Sequence, residues 1–237
     1  MQTVFHPASE RGQVNIGWLD SHHSFSFGHW YNPEKVHFGA LRVLNDDIVK
    51  AGAGFNTHPH DNMEIVSIPL NGSLAHKDST GTDGIIRTGD VQIMSAGSGI
   101  RHSEYNPSKT NPANFLQIWV IPKEKDIHPR YGQLTFDAKD RINKWQVVVS
   151  PDEKEKALWI NQDARFALTN LEEGKEISFV PKFKGNGIYL FVIDGEINVE
   201  NKTIGKRDAI GISKTDGFTI KATKTSEVLA IEVPMLS

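Results

Sequence analysis

The sequence predicts an all-β protein built as two tandem β barrels. Three observations point that way. Apolar runs are short, and turn residues interrupt them about every 8–12 residues, the rhythm of a sandwich or barrel. Asn-Gly and Asp-Gly dipeptides, the strongest short-range hairpin cues, follow two of those runs. A weak internal repeat relates the halves: residues 64–72 end in a turn glycine before Gly89-Asp90 opens a strand, and residues 188–195 and 205–208 repeat that order.

Taken in chain order, residues 54–60 (GFNTHPH) read as an extended segment, and residues 63–70 as a strand before an Asn71-Gly72 turn. Residues 91–94 form a strand after Thr88-Gly89-Asp90, and residues 115–121 one that ends at Pro122. In the second half, residues 189–193 precede an Asp194-Gly195 turn, and residues 228–233 end at Pro234. Only residues 152–159 suggest a short helix, with Pro151 at an early position. The polar stretch 123–144 reads as the seam, giving an N-terminal domain of 1–132 and a C-terminal domain of 133–237.

The chain of 237 residues suits one large or two small domains, and it is long enough to bury a core without staples. With 26 Lys+Arg against 29 Asp+Glu, the net charge of −3 offers no basic surplus for nucleic acid or an anionic membrane. Cysteine is absent, which excludes disulfides, a thiolate nucleophile and sulfur-ligated zinc. The opening MQTVFHPASERG has no leader-like apolar stretch, and no run approaches the roughly 20 apolar residues of a membrane span. A soluble, cytoplasmic protein is the expectation.

Histidine is unevenly placed. All ten lie in residues 1–128. Residues two apart on a strand share a face, so His58 and His60 present two imidazoles together. Pro59 between them lacks an N–H, so this segment should be an edge or a strand start rather than a central strand. A second pair at the same spacing, His102-Ser103-Glu104, follows the glycine-rich residues 95–99. Two short strands meeting inside a barrel would bring three imidazoles and a carboxylate to one point. Such a donor set suits iron, nickel, copper, manganese or zinc and leaves two octahedral positions open. The plainer reading is a set of polar loop residues. Glu64 shares the parity of His58 and His60, so residue types alone leave Glu64 and Glu104 both as candidate carboxylates.

Other features read as structural. His22 and His23 are adjacent and face opposite ways, so they do not share an ion. His76 reads as a barrel-wall histidine, with a hydrogen bond supporting the site as the alternative. Residues 96–99 form a tight turn, since a phosphate loop would carry a lysine and a helix. Trp18, Trp30, Phe25 and Phe27 read as packing or a lid, and residues 152–156 as a solvated face.

The segments GFNTHPHDNME, NGSLAHKDS and GDVQIMSAGSGIRHSEYNP resemble the two motifs of a cupin. They are most similar to those of the pirin-like proteins, a bicupin group that includes bacterial quercetinases. The upstream ERGQVNIGWLDSHHSFSFGHWYNP and ALRVLNDD resemble that group's N-terminal signature. The resemblance implies two cupin barrels (double-stranded β-helices, or jelly rolls) stacked face to face. It implies one mononuclear divalent transition metal in the N-terminal barrel, usually Fe(II), with Mn, Co, Ni, Cu or Zn as alternatives. The implied ligands are His58, His60, His102 and Glu104. Glu104 is preferred to Glu64 because a carboxylate two residues after the second-motif histidine is particular to the pirin-like set, and Glu64 then becomes a supporting or structural acid. The implied activity is that of a quercetin 2,3-dioxygenase: a flavonol and O₂ react, Glu104 serves as general base, and carbon monoxide leaves. The alternative within the group is a non-catalytic, redox-responsive metalloprotein that binds a protein partner. Aligning Gly195 with Gly72 sets Pro181, Phe183 and Gly187 where His58, His60 and Glu64 stand, so the C-terminal cupin is expected to lack metal ligands and to serve as scaffold.

Overall fold

A computed structural model describes residues 1–236. Strands dominate, and the helical segments among the described residues are two 3-10 turns, Ala8–Glu10 and Ala138–Arg141. None is long and apolar enough to cross a membrane.

The first barrel has two antiparallel sheets. One is seven-stranded, in the order Arg130–Thr135, Asp90–Ser95, Glu64–Asn71, Ala113–Val120, Leu41–Val49, Leu19–His23, Gly12–Asn15. The other is four-stranded, in the order Gly54–His60, Ile100–Tyr105, Ser73–Asp78, Asp83–Arg87. A nine-stranded sheet centred on Gly187–Val199 and Phe218–Val233 forms the second barrel.

The central strands of the seven-stranded sheet are buried on both faces, and period-two alternation sorts their side chains. Along Ala113–Val120, Phe115 and Trp119 pack inside the first barrel, while Leu116, Ile118 and Val120 face the second. Those three join Val66, Ile68, Phe166, Tyr189, Phe191 and Leu229 in one core shared by both barrels. Polar positions in these apolar runs, Ser67 and Gln117, therefore sit on the inner face with Phe115 and Trp119.

Several elements differ from the sequence expectation. Asp194-Gly195 closes no hairpin. The strand Gly187–Val199 runs through it, and its ladder shifts register around Asp194, with Gly195 at φ +85°. This is a bulge, and the reversal comes at Glu200-Asn201, both at positive φ as a two-residue hairpin turn requires. Asn71-Gly72 likewise carries the chain from the seven-stranded to the four-stranded sheet. Residues 152–159 form no helix; they turn into the short strand Leu158–Trp159, which pairs in parallel with Gln146–Ser150.

Two strands show how closely the halves are joined. Arg130–Thr135 lies wholly in the first barrel, whereas Gln2–His6 crosses to the second and pairs with Ala209–Ser213. That crossing covers what would otherwise be an open strand edge. Polar contacts tie the halves further: Arg207 Nε lies 2.9 Å from Asp46 Oδ2.

Candidate metal centre

The site forms where the edge strand Gly54–His60 pairs with Ile100–Tyr105. The register sets His58 opposite His102 and Pro59 opposite Arg101. Ring centroids of His58, His60 and His102 lie 4.5–4.9 Å apart. On its other side Ile100–Tyr105 pairs with Ser73–Asp78, which sets Glu104 opposite His76 and His102 opposite Asp78.

Two overlapping groups of donors result. One atom each from His58, His60 and His102 lies within 4.8 Å of the others, and the same holds for His76, His102 and Glu104. His102 belongs to both. The four residues named from the sequence therefore converge around His102, and His76 joins them.

Glu64 belongs to neither group. Asn62, at φ +45°, breaks the strand after His60, so Glu64 starts a strand of the other sheet and the parity linking it to His58 is lost. It lies on the face of Val66 and Ile68, towards the second barrel. Its Oε2 accepts from Ser95 Oγ at 2.8 Å and from the Asn161 backbone N–H at 3.1 Å.

Two of the imidazoles, His60 and His102, are held neutral at neutral pH. Burial, reinforced by the other histidines, lowers His102 to about 3. Burial and the neighbouring His58 lower His60 to about 4. Glu104 is pushed up to about 7, first by burial and then by the Asp47 carboxylate, against hydrogen bonds from Ser67 and Gln117. Asp47 also rises to about 7 through burial, although Ser21 donates to it.

These residues fit a divalent cation. The His58 Nδ1–H donates to the Asn56 carbonyl at 2.7 Å, which leaves its Nε2 as a bare lone pair. That atom faces His102 Nε2 at 3.1 Å. Two donors about 3 Å apart match adjacent positions around one ion with bonds of about 2.1 Å. A cation would also offset the crowding of Glu104 and Asp47.

A cavity of about 170 Å³ opens over the site, roughly ten times what one water needs. Leu19, Phe27, Phe55 and Trp119 make its walls apolar, and Glu104 and Gln117 reach its polar end. Phe25 lies instead in the shared core, so the aromatic residues of this region divide between packing and cavity. His22 and His23 do face opposite ways, but His23 is buried on the cavity wall, with Nε2 2.8 Å from Ser21 Oγ. The sequence expectation gave His23 a structural role and did not include Ser67 and Gln117. The usable signal was a polar residue at an inward position of an apolar strand.

Comparison with known proteins agrees with this architecture. Residues 4–120 match the family model described as Pirin, and residues 147–233 match a quercetinase C-terminal cupin domain. A protein of Escherichia coli K12 named quercetin 2,3-dioxygenase is 41% identical over 230 residues, 96% of each chain. A pirin-like protein of Caulobacter vibrioides is 36% identical over 227 residues, covering 95% of this chain and 97% of that one. The crystal structure of YhhW from E. coli superposes with a TM-score of 0.94 at 39% identity, over 99% of both chains. A second structure, of bacterial pirin YhhW in complex with nickel(II), gives the same score at 38% identity, over 99% of this chain and 100% of that one. From its motifs, its paired barrels and these relatives, the chain belongs to the pirin family of two-barrel cupins.

Proposed function

We propose that this chain is a metal-dependent dioxygenase that opens the ring of a flavonol such as quercetin, with His58, His60, His102 and Glu104 holding one divalent transition metal, iron by preference. One observation carries the reading: His58, His60 and His102 cluster beside an apolar cavity, and the buried Glu104 carboxyl stands with His102 at that same place. The relatives named as quercetin 2,3-dioxygenases supply the substrate class.

When bound, the metal supplies Lewis-acid charge to a substrate hydroxyl and a path for electrons to dioxygen. The protein's own groups do the rest. Glu104 takes the hydroxyl proton as general base, its carboxylate standing beside His102 in the donor cluster. Gln117 Nε2 holds Glu104 Oε2 at 2.8 Å, so the carboxylate keeps its orientation while Oε1 takes the proton. Ser67 Oγ, 3.3 Å from that oxygen and 2.8 Å from Gln117 Oε1, completes the support. Leu19, Phe27, Phe55 and Trp119 receive the flat rings and keep water from the activated substrate. The proposal places the metal in the N-terminal barrel and gives the C-terminal barrel a covering role.

The test is reconstitution of metal-free protein with Fe(II), Mn(II), Co(II), Ni(II) and Cu(II), followed by aerobic incubation with quercetin. Loss of flavonol absorbance with release of carbon monoxide, dependent on at least one ion, is the expected result. Absence of turnover with every ion would overturn the enzymatic reading and leave a metal-binding protein that acts through a partner.

A further inference from the structure

Behind His102, away from the cavity, stands a buried line of polar groups. His102 Nδ1 lies 3.5 Å from His76 Nδ1, and His76 Nε2 lies 3.0 Å from Asp78 Oδ2. The His76 and Asp78 side chains are 0% exposed. Their strand, Ser73–Asp78, is paired to the His102 strand, so the ladder itself holds them there. The His76 ring is further flanked by Tyr131, with centroids 4.9 Å apart.

The donors around Asp78 decide where every proton in this line resides. Asp78 Oδ1 accepts from the backbone N–H of Thr80 (2.8 Å), Thr80 Oγ1 (2.6 Å) and the backbone N–H of Thr82 (3.2 Å). Three donors on Oδ1 favour the ionised carboxylate, and an ionised Oδ2 can only accept, so His76 is the donor across that contact. The His76 proton is therefore on Nε2, and its Nδ1 is an acceptor. His102 must then donate from Nδ1, which leaves its Nε2 bare and directed at His58 and the cation position. The reverse order would put a proton on His102 Nε2, where a ligand lone pair is needed.

We propose that Asp78 and His76 are positioning residues that hold His102 as its Nδ1–H tautomer and pass to its Nε2 the electron density of a buried carboxylate, thereby setting how tightly the centre holds its metal and the potential at which that metal changes oxidation state. The inference rests on the reading of His102 as a ligand. Outer groups of this kind change metal affinity by about tenfold to a hundredfold when removed.

Asp78→Asn tests the direction of the chain. The new amide presents N–H to His76, which then donates from Nδ1 and pushes the proton of His102 onto Nε2. His76→Leu removes the relay, whereas the Oε1 of His76→Gln can still accept from His102 Nδ1. The measurements are Ni(II) and Co(II) affinity by chelator competition and the midpoint potential of the iron-loaded protein, with thermal melts of each metal-free variant as a check on folding. The expected order of affinity is wild type, then His76→Gln, then His76→Leu and Asp78→Asn, the last two lower by about tenfold or more with a raised potential. If Asp78→Asn does not fold, the contrast between Gln and Leu at position 76 decides.

Affinities within twofold of wild type in all three variants, with an unchanged potential, would overturn the inference. So would His76→Leu losing metal as fully as His102→Ala while Asp78→Asn keeps it, since His76 would then be a ligand itself. His102→Ala run in parallel separates the two levels. Wild-type affinity in that variant removes the metal-site reading. Loss of metal there, with the outer variants unaffected, removes only the relay.

Discussion

Glu64 Oε2 accepts the backbone N–H of Asn161 at 3.1 Å, so a carboxylate that begins a strand of the first barrel is spent on joining it to the second. Glu104, buried on a strand of the four-stranded sheet, is held by Gln117 within the donor cluster. The two acids have separable roles.

Replacing each acid by its amide distinguishes those roles. Glu64→Gln is expected to lower stability by about 1–3 kcal/mol, because a charged acceptor is lost from two buried donors. Its metal content should match wild type. Glu104→Gln should reverse the pattern, with weakened metal binding, lost turnover and little loss of stability in the metal-free protein. Denaturant melts and elemental analysis of both variants check this pair.

His58 is half-buried at a sheet edge, so its removal costs little packing. His58→Ala should fold as wild type yet bring down no stoichiometric metal and show no flavonol turnover. His102→Ala should share that loss. A fully active His58→Ala protein would show that the site is wrongly placed.

His6 provides a stability test remote from the metal. It is buried between the halves, with Nδ1 2.8 Å from the Tyr189 hydroxyl. Burial, helped by Lys35, lowers its pKa from 6.5 to about 4. Above pH 6.5 neither folded nor unfolded chain protonates it, so it contributes no slope. As pH falls from 6.5 to 4 the unfolded chain takes up a proton that the folded chain refuses, and stability drops by up to roughly 3 kcal/mol. Below about 4 the effect is complete. His6→Gln should flatten the acid loss of stability in that window, as measured by denaturant melts at pH 4.5, 5.5 and 7.

Arg207 offers a test of the join between barrels. Its Nε pairs with Asp46 at 2.9 Å, and Nη2 donates to Asn114 Oδ1 at 3.1 Å. Arg11 stands 3.7 Å from the same Asp46 carboxylate, so the charge keeps one partner when Arg207 is removed. Arg207→Met should therefore cost about 1–3 kcal/mol, below the loss for a fully orphaned buried charge. Metal affinity should be unaffected, which titration with Ni(II) checks.

The paired histidines were legible because a strand repeats every two residues and Pro59 excludes a central position; both are local properties of the chain. The all-β class was legible from turn spacing for the same reason. Local pattern failed wherever it had to cross a break. Asn62 at positive φ resets the parity between His60 and Glu64, and the Asp194-Gly195 bulge imitates a turn that the ladder does not make.

By itself, then, the sequence determined the barrels and the residues able to bind a metal. Tertiary structure decided which acid meets the histidines, that His76 and Asp78 stand behind His102, and that Gln2–His6 joins the far barrel. Those outcomes depend on register between strands distant in the chain, which is set by the pairing of whole sheets and by which face each sheet must bury.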